Sequence, residues 1–396
     1  MDSRKTEDFG IYIHFPFCRT KCKYCSFFKV GEDRADWERY ARAVENEYKS
    51  RRVPEGEVAS LYMGGGTPSL APASVIKRFR EMIPFEIGEF TIEVNPDDVT
   101  EEKAIAWKDA GVNRVSMGVQ SLIDEELKVI GRRHTADQAV KAYNILRKYF
   151  SNISLDLIFG IPGQTISSLT ETLDSFLKLR PEHISAYSLM YEGGTTLTRM
   201  RDSGSIVETD EDDSVKMFRL INKMFHEAGY ERYEISNYSL PGYRSHHNSS
   251  YWLGVPYMGL GPGAHSYDGR SSRFWNSFNL EGYLEIYGDE SNNVGLAGGG
   301  AEKEMRLRKL LKDYVEYENL TGFEMMEEMV MTRLRMVEGL SLQEYKKKFG
   351  ESAYKELKRK SEKYIKSGDL YYRNSNYLAL TEKGVMISDD IISSLF

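Results

Sequence analysis

Cys18, Cys22 and Cys25 fall in one short run, HFPFCRTKCKYCSFF, and they are the only cysteines of the 396-residue chain. Three thiols gathered so closely point to joint use. The spacing C-x3-C-x2-C suggests a [4Fe–4S] cluster with one iron left open, because three thiolates cannot complete a four-cysteine shell. An open metal position lets the metal hold and orient a reacting group. Two other readings stay open: three unrelated buried thiols, or a zinc site completed by a distant histidine. Zinc sites favour paired ligands at short spacing with tetrahedral closure.

The elements that must position these thiols alternate along the first half. Short apolar strands are expected at 10–15, 58–63, 90–95, 113–119, 153–159 and 183–189. Helical stretches lie between them, at 34–52, at 72–83 entered through Pro72, and after Thr100, where Glu101 and Glu102 favour a helix start. Others are expected near 124–130 and 136–149, and Ser168 with Glu171 reads as a capping box. Six strands with helix-length crossovers imply a parallel sheet, which right-handed connections curl into an open barrel. His14, Gly64 to Gly66, Glu93, Gln120, Asp156 and Tyr187 gather at the C-terminal strand ends. Parallel α/β folds place ligands at that edge, and the cysteine run leaves the first strand there.

The second half changes character. An amphipathic helix is expected at 210–228, then loops and short strands over 230–289, then a Gly-rich connector at 292–300. Helices follow at 301–319, at 323–337, at a start capped by Ser341 and Glu344, and at 351–366. A hairpin over 369–380 and a helix from Thr381 complete a small winged-helix-like module. The expected domains are a barrel at 1–208, an extension at 209–292 and a mostly helical module at 301–396.

Composition narrows the class. Hydrophobic residues make up 41% and charged residues 29%, and the net charge is -7. This is ordinary for a soluble globular protein and gives a nucleic-acid partner no electrostatic support. Three cysteines make no disulfide framework, and no signal or spanning segment is read, so a reducing cytoplasm is expected.

The cysteine run resembles the cluster motif of the radical S-adenosylmethionine superfamily. The resemblance implies a [4Fe–4S] cluster on Cys18, Cys22 and Cys25 whose fourth iron is chelated by S-adenosylmethionine. It implies that Tyr24 packs near the adenine and that Gly64, Gly65, Gly66 and Thr67 meet the methionyl ammonium. Glu93 would contact the same cofactor, Arg132 would pair with its carboxylate, and Gln120 and Asp156 would reach the ribose and sulfonium region. Arg133 is the competing choice beside Arg132.

Longer stretches resemble the oxygen-independent coproporphyrinogen III oxidase group: YIHFPFC, YMGGGTPSL, IEVNP, RVSMGVQS, GRRH, DLIFGIPGQT, YSLMYEGGT and YERYEISNYSLPG. Within it, HNSSYW at 247–252 resembles a motif of a haem-chaperone branch, with His247 as ligand candidate and Tyr251 and Trp252 as porphyrin walls. His265 matches another histidine of the group and would line the same surface. Phe27 stands where the oxidases carry a further cysteine, which weighs against decarboxylase chemistry and leaves enzyme status open.

The resemblance therefore implies a carrier that binds haem, a cluster and S-adenosylmethionine. The alternative is the oxidative decarboxylase of porphyrin biosynthesis. Implied partners are an apo-haemoprotein acceptor, an electron donor such as flavodoxin or ferredoxin, and a second copy of the chain. Contact with the inner face of the membrane would come only through a partner.

Overall fold

The computed structural model describes residues 8–288, except 52 and 55, and residues 309–396. Six strands follow the expected alternation: β1 (Phe9–Phe15), β2 (Val58–Gly65), β3 (Glu89–Val94), β4 (Arg114–Gln120), β5 (Ile153–Phe159) and β6 (His183–Ser188). Each pairs in parallel with the next. Their side chains are buried almost continuously, as for the FGIYIHF of β1, because parallel strands are covered on both faces. β7 (Glu231–Arg232) and β8 (Asn237–Ser239) add antiparallel to β6. β9 (Tyr257–Leu260) supplies a further parallel strand beside β1, which the sequence pattern does not reveal. β10 (His265–Tyr267), β11 (Ser272–Asn276) and β12 (Val315–Asn319) extend that end by antiparallel pairing. Among the described residues the order β12-β11-β10-β9-β1-β2-β3-β4-β5-β6-β8-β7 has two unpaired edges, so the sheet does not close into a barrel there.

The crossover helices are α1 (Trp37–Ser50), α2 (Ala73–Glu81), α3 (Glu101–Asp109), α4 (Asp124–Ile130), α5 (Ala136–Arg147) and α6 (Ile166–Leu179). Thr100 caps α3 by accepting from the Lys103 N–H, as expected. The cap of α6 is different: Thr165 is the N-cap and Ser168 its reciprocal partner, one turn before the Ser168/Glu171 pair. The hydroxyl of Ser168 reaches the Thr165 N–H and so substitutes for the usual acid. α7 (Thr196–Asp202) and α8 (Glu211–Glu227) follow β6.

Two segments differ from expectation in kind. Residues 246–252, read as loop and short strand, form a helix, α9 (His246–Trp252), and α10 (Leu280–Tyr287) follows it. The expected helix over 301–319 ends at 314 within the described residues, and 315–319 pair with β11 as β12. The stretch 315–319, VEYEN, carries the β-favouring Val and Tyr, and the exposed β11 edge supplies hydrogen-bond partners. The connector at 292–300 lies outside the described residues.

The C-terminal module comprises α11 (Gly322–Arg335), β13 (Leu340–Ser341), α12 (Leu342–Lys366), β14 (Leu370–Arg373), β15 (Tyr377–Leu380), α13 (Glu382–Val385) and α14 (Ser388–Ser394). Ser341 caps α12, which kinks at Gly350 (φ 89°) between the two expected helices. Val330, Leu334, Leu357, Leu378 and Ile391 form a separate small core.

Candidate functional site

The three cysteines line a cavity of about 850 Å³ at the C-terminal edge of the parallel strands. Their loop is pinned at both sides by backbone bonds. The Lys23 N–H donates to Ile130 O at the end of α4 (3.0 Å), and the Leu197 N–H of α7 donates to Lys23 O (2.8 Å). All three thiols are half-buried and free. Cys18 Sγ lies 3.2 Å from Thr67 Oγ1, and burial pushes its thiol above the usual range. Arg132 Nη1 lies 3.5 Å from Cys22 Sγ.

The glycine turn after β2 follows β1 closely. Gly65 has φ +100°, and a Cβ there would meet the His14 ring at 2.4 Å. A Cβ on Gly66 would lie 2.5 Å from Phe15 O and 2.8 Å from Phe17 O. Neither position admits a side chain without moving β1. We expect Gly65→Ala to cost about 1–3 kcal/mol from the backbone conformation alone. Binding of S-adenosylmethionine should weaken with it, and equal affinity by calorimetry would overturn the role of this turn. A Cβ on Gly64 would meet Tyr62 at 2.8 Å and Glu93 at 3.0 Å, two side chains that line the cavity.

Glu93 accepts from the Tyr62 hydroxyl (2.7 Å) and the Gly65 N–H (3.1 Å), and burial pushes its carboxyl up. Asp156 lies beside it. Burial, then Glu93, raises it to about 7 against the pull of Arg114, Ser185 and Ser116. It can therefore donate or accept near neutral pH. Gln120 sits at a positive φ of 70° at the β4 end, and its buried Oε1 has no partner. A strained residue with an unsatisfied oxygen in a cavity suits a ligand contact.

The structure separates the two adjacent arginines. Arg132 donates to Asn95 Oδ1 (2.8 Å) and Gly118 O (2.5 Å), so its oxygen partners are an amide and a carbonyl, and its buried Nε is unpartnered. Arg133 instead pairs with Asp97 at 2.5 Å. Arg132 is thus the guanidinium available to a ligand carboxylate. Tyr24 lines the same wall, and burial keeps its phenol protonated well above the usual range.

His247 and Tyr251 line this same cavity, so α9 brings the HNSSYW stretch to the cysteine site. His247 is buried. Its Nδ1 lies 2.8 Å from Ser60 Oγ and its Nε2 3.0 Å from the Tyr251 hydroxyl. Its ring stacks on Tyr62 at 4.9 Å. Burial, opposed by Glu89 and aided by Arg114, lowers its pKa to about 4. The imidazole is therefore neutral at physiological pH. Trp252 points elsewhere, with Arg335 over its ring at 5.8 Å, and does not line the cavity. On so short a helix it lies on the side that meets the C-terminal module, beside Arg335, which does line the cavity. His265 is also outside the cavity and stacks on Trp275 at 5.2 Å.

Sequence reasoning missed the supports. Glu89, at the start of β3, accepts from Ser245 Oγ (3.1 Å) and from the N–H groups of His246 (2.9 Å) and His247 (3.0 Å). It thereby fixes the start of α9. Arg114, at the start of β4, is buried in the cavity floor with an unpartnered Nε. The available signal was a charged residue opening each of two parallel strands.

Comparison with known proteins gives the lineage. Residues 12–176 match the radical SAM superfamily, and residues 320–387 match the HemN C-terminal domain. The chain is 30% identical to the heme chaperone HemW of Bacillus subtilis, over 97% of this chain and 98% of that one. The chain belongs to the HemW family. It is likewise 29% identical to the HemW of Mycobacterium tuberculosis, over 98% of this chain and 95% of the other. Its fold is that of the radical SAM coproporphyrinogen III oxidase HemN of Escherichia coli, with TM-score 0.78 over 99% of this chain and 90% of that one, at 18% identity. Among the described residues no helix is long and apolar enough to cross a membrane.

Radical SAM membership implies a [4Fe–4S] cluster and S-adenosylmethionine, and the residues present fit both. The donor set is three free thiols facing one cavity. Around it stand a glycine cradle that a Cβ would fill, the unpartnered Gln120 oxygen, and Arg132 without a carboxylate partner. The bound pair would supply one-electron cleavage chemistry. Cys18, Cys22 and Cys25 would hold the cluster, and Arg132 and Gln120 would meet the polar ends of the cofactor.

Proposed function

We propose that this HemW-family protein is a haem chaperone, which binds haem and delivers it to apo-haemoproteins. The observation that carries the reading is that His247 and Tyr251 open onto the cysteine cavity, in a chain similar over nearly its full length to proteins named heme chaperones. A cavity of about 850 Å³ is within the range of small-molecule and cofactor sites. Three thiols, a cluster and S-adenosylmethionine share the site in this reading. An electron donor and an acceptor haemoprotein are its partners, and the chain works on the cytoplasmic side of any membrane they occupy.

His247 is neutral and therefore suited to bind iron. Its Nε2 faces the Tyr251 hydroxyl, so axial ligation requires that hydroxyl to leave. Two variants test the assignment by anaerobic haem titration of the cluster-reconstituted protein. His247→Ala is expected to weaken haem binding about tenfold or more and to shift the Soret band. Tyr251→Phe should leave affinity equal or higher, because it frees Nε2. Loss of affinity in Tyr251→Phe alone would move the contact to the phenol. Absence of stoichiometric haem binding by the wild type, or of transfer to an apo-acceptor, would sink the chaperone reading. Coproporphyrinogen decarboxylation would then be the activity to assay.

A further inference from the structure

The C-terminal module contributes to the cavity wall through Arg335, Ser388 and Asp389. Arg335 is fixed there by its neighbour on α11. Arg333 donates to Trp252 O (3.1 Å) and Leu253 O (2.8 Å), which satisfies carbonyls at the end of α9 and pins the two helices together. The guanidinium of Arg335 then lies over the Trp252 ring, with its carbon 5.8 Å from the centroid. Its ion-pair partner is Asp389, at 2.8 Å.

That pair differs from those of the two other ion-paired arginines at the cavity. Arg133 holds Asp97, and Arg19 holds both Glu32 and the buried Asp98. Arg335 holds one carboxylate, whose side chain is 82% exposed. An exposed pair of this kind contributes little and exchanges readily for another carboxylate. The cavity rim also carries apolar side chains left open to solvent: Phe27 is 65% exposed and Met190 66%. A flat apolar body with acidic edges matches a cavity that offers both exposed apolar side chains and a replaceable arginine partner.

We propose that Arg335 is the subsite for a carboxylate of the ligand, and that Asp389 occupies that place in its absence. The inference rests on the haem reading, which makes the carboxylate a porphyrin propionate. On binding, the propionate replaces Asp389 as the partner of Arg335, and no bond is made or broken. Because α11 carries Arg335 and α14 carries Asp389, the exchange also releases a contact within the module that walls the site. Trp252 acts here as a positioning residue, holding the guanidinium toward the cavity.

The test compares haem with haem dimethyl ester, whose propionates are uncharged, by titration of the cluster-reconstituted protein. Wild type should bind haem about tenfold or more tightly than the ester, as expected for a charge-assisted hydrogen bond. Arg335→Gln should lose that preference by weakening haem alone. Asp389→Asn, which removes the competing carboxylate, should bind haem more tightly and the ester no differently. Equal affinity of wild type for haem and ester would overturn the subsite while leaving the chaperone reading intact. So would an Asp389→Asn variant with unchanged haem affinity. Failure of the wild type to bind either compound would instead overturn the chaperone reading. Should Arg335→Gln fold poorly, the Asp389→Asn comparison decides the matter alone.

Discussion

Cys22→Ala is expected to hold no [4Fe–4S] cluster after anaerobic reconstitution, with iron and sulfide per chain falling to background and the cluster's visible absorbance lost. The expectation follows from the donor count. The chain has three cysteines and no spare thiol to substitute for a missing one. Cys22 Sγ also lies 3.5 Å from Arg132 Nη1, so it is in contact with the cavity wall. The fold should survive, because the loop is anchored by backbone bonds of Lys23 and Leu197 rather than by the thiol. Unchanged far-ultraviolet circular dichroism together with absent iron is the expected pair of results. A variant that keeps the full iron content would show that the three thiols do not act as one ligand set.

Glu89→Ala should be the most destabilising single change outside the hydrophobic core. Its carboxylate is buried and accepts three bonds from Ser245, His246 and His247, all at the start of α9. Removal leaves three donors unsatisfied and the buried Arg114 without its compensating charge. Breaking a buried charged network of this kind costs roughly 3–5 kcal/mol. Glu89→Gln, which retains an acceptor oxygen, should cost less. Denaturant unfolding of both variants checks the order, and equal loss in the two would show that charge rather than hydrogen bonding dominates.

The same residue predicts acid sensitivity. Burial pushes the Glu89 carboxyl up, but Arg114 and the N–H groups of His247 and His246 outweigh it and hold the group below its ordinary 4.5. A depressed carboxyl adds stability above its unfolded value, and that stability is lost as pH falls through the folded value. The wild type should therefore lose stability below about pH 4.5 more steeply than Glu89→Gln. Parallel pH profiles would show that other carboxylates carry the acid transition. Because α9 presents His247 and Tyr251, loosening its start should weaken haem binding in the same variants.

The cluster loop and the six-strand alternation were legible because their signals are local. Three thiols within eight positions stand out by spacing alone. Short apolar strands followed by helix-length stretches define a parallel sheet, since a crossover of that length cannot be a hairpin. The glycines at the end of β2 were legible for a similar reason: three in a row at a strand end invite close backbone approach.

What the sequence left open depends on contacts between distant residues. Arg132 and Arg133 are chemically identical neighbours, and only the position of Asp97 shows which one is occupied. HNSSYW carries no local sign of the wall it faces. Its helix reaches the cavity because Glu89, 157 residues from His246, caps it from another strand. Trp252 leaves the cavity for Arg335 because of a module that begins some seventy residues later. Residues 315–319 become a strand only because β11 offers an open edge. The sequence by itself determined the cluster of three thiols and the sheet that carries it, because spacing and periodicity act within a few residues. The tertiary structure decided which arginine lacks a carboxylate partner and which residues share the cavity, because burial and charge pairing join groups that the chain keeps far apart.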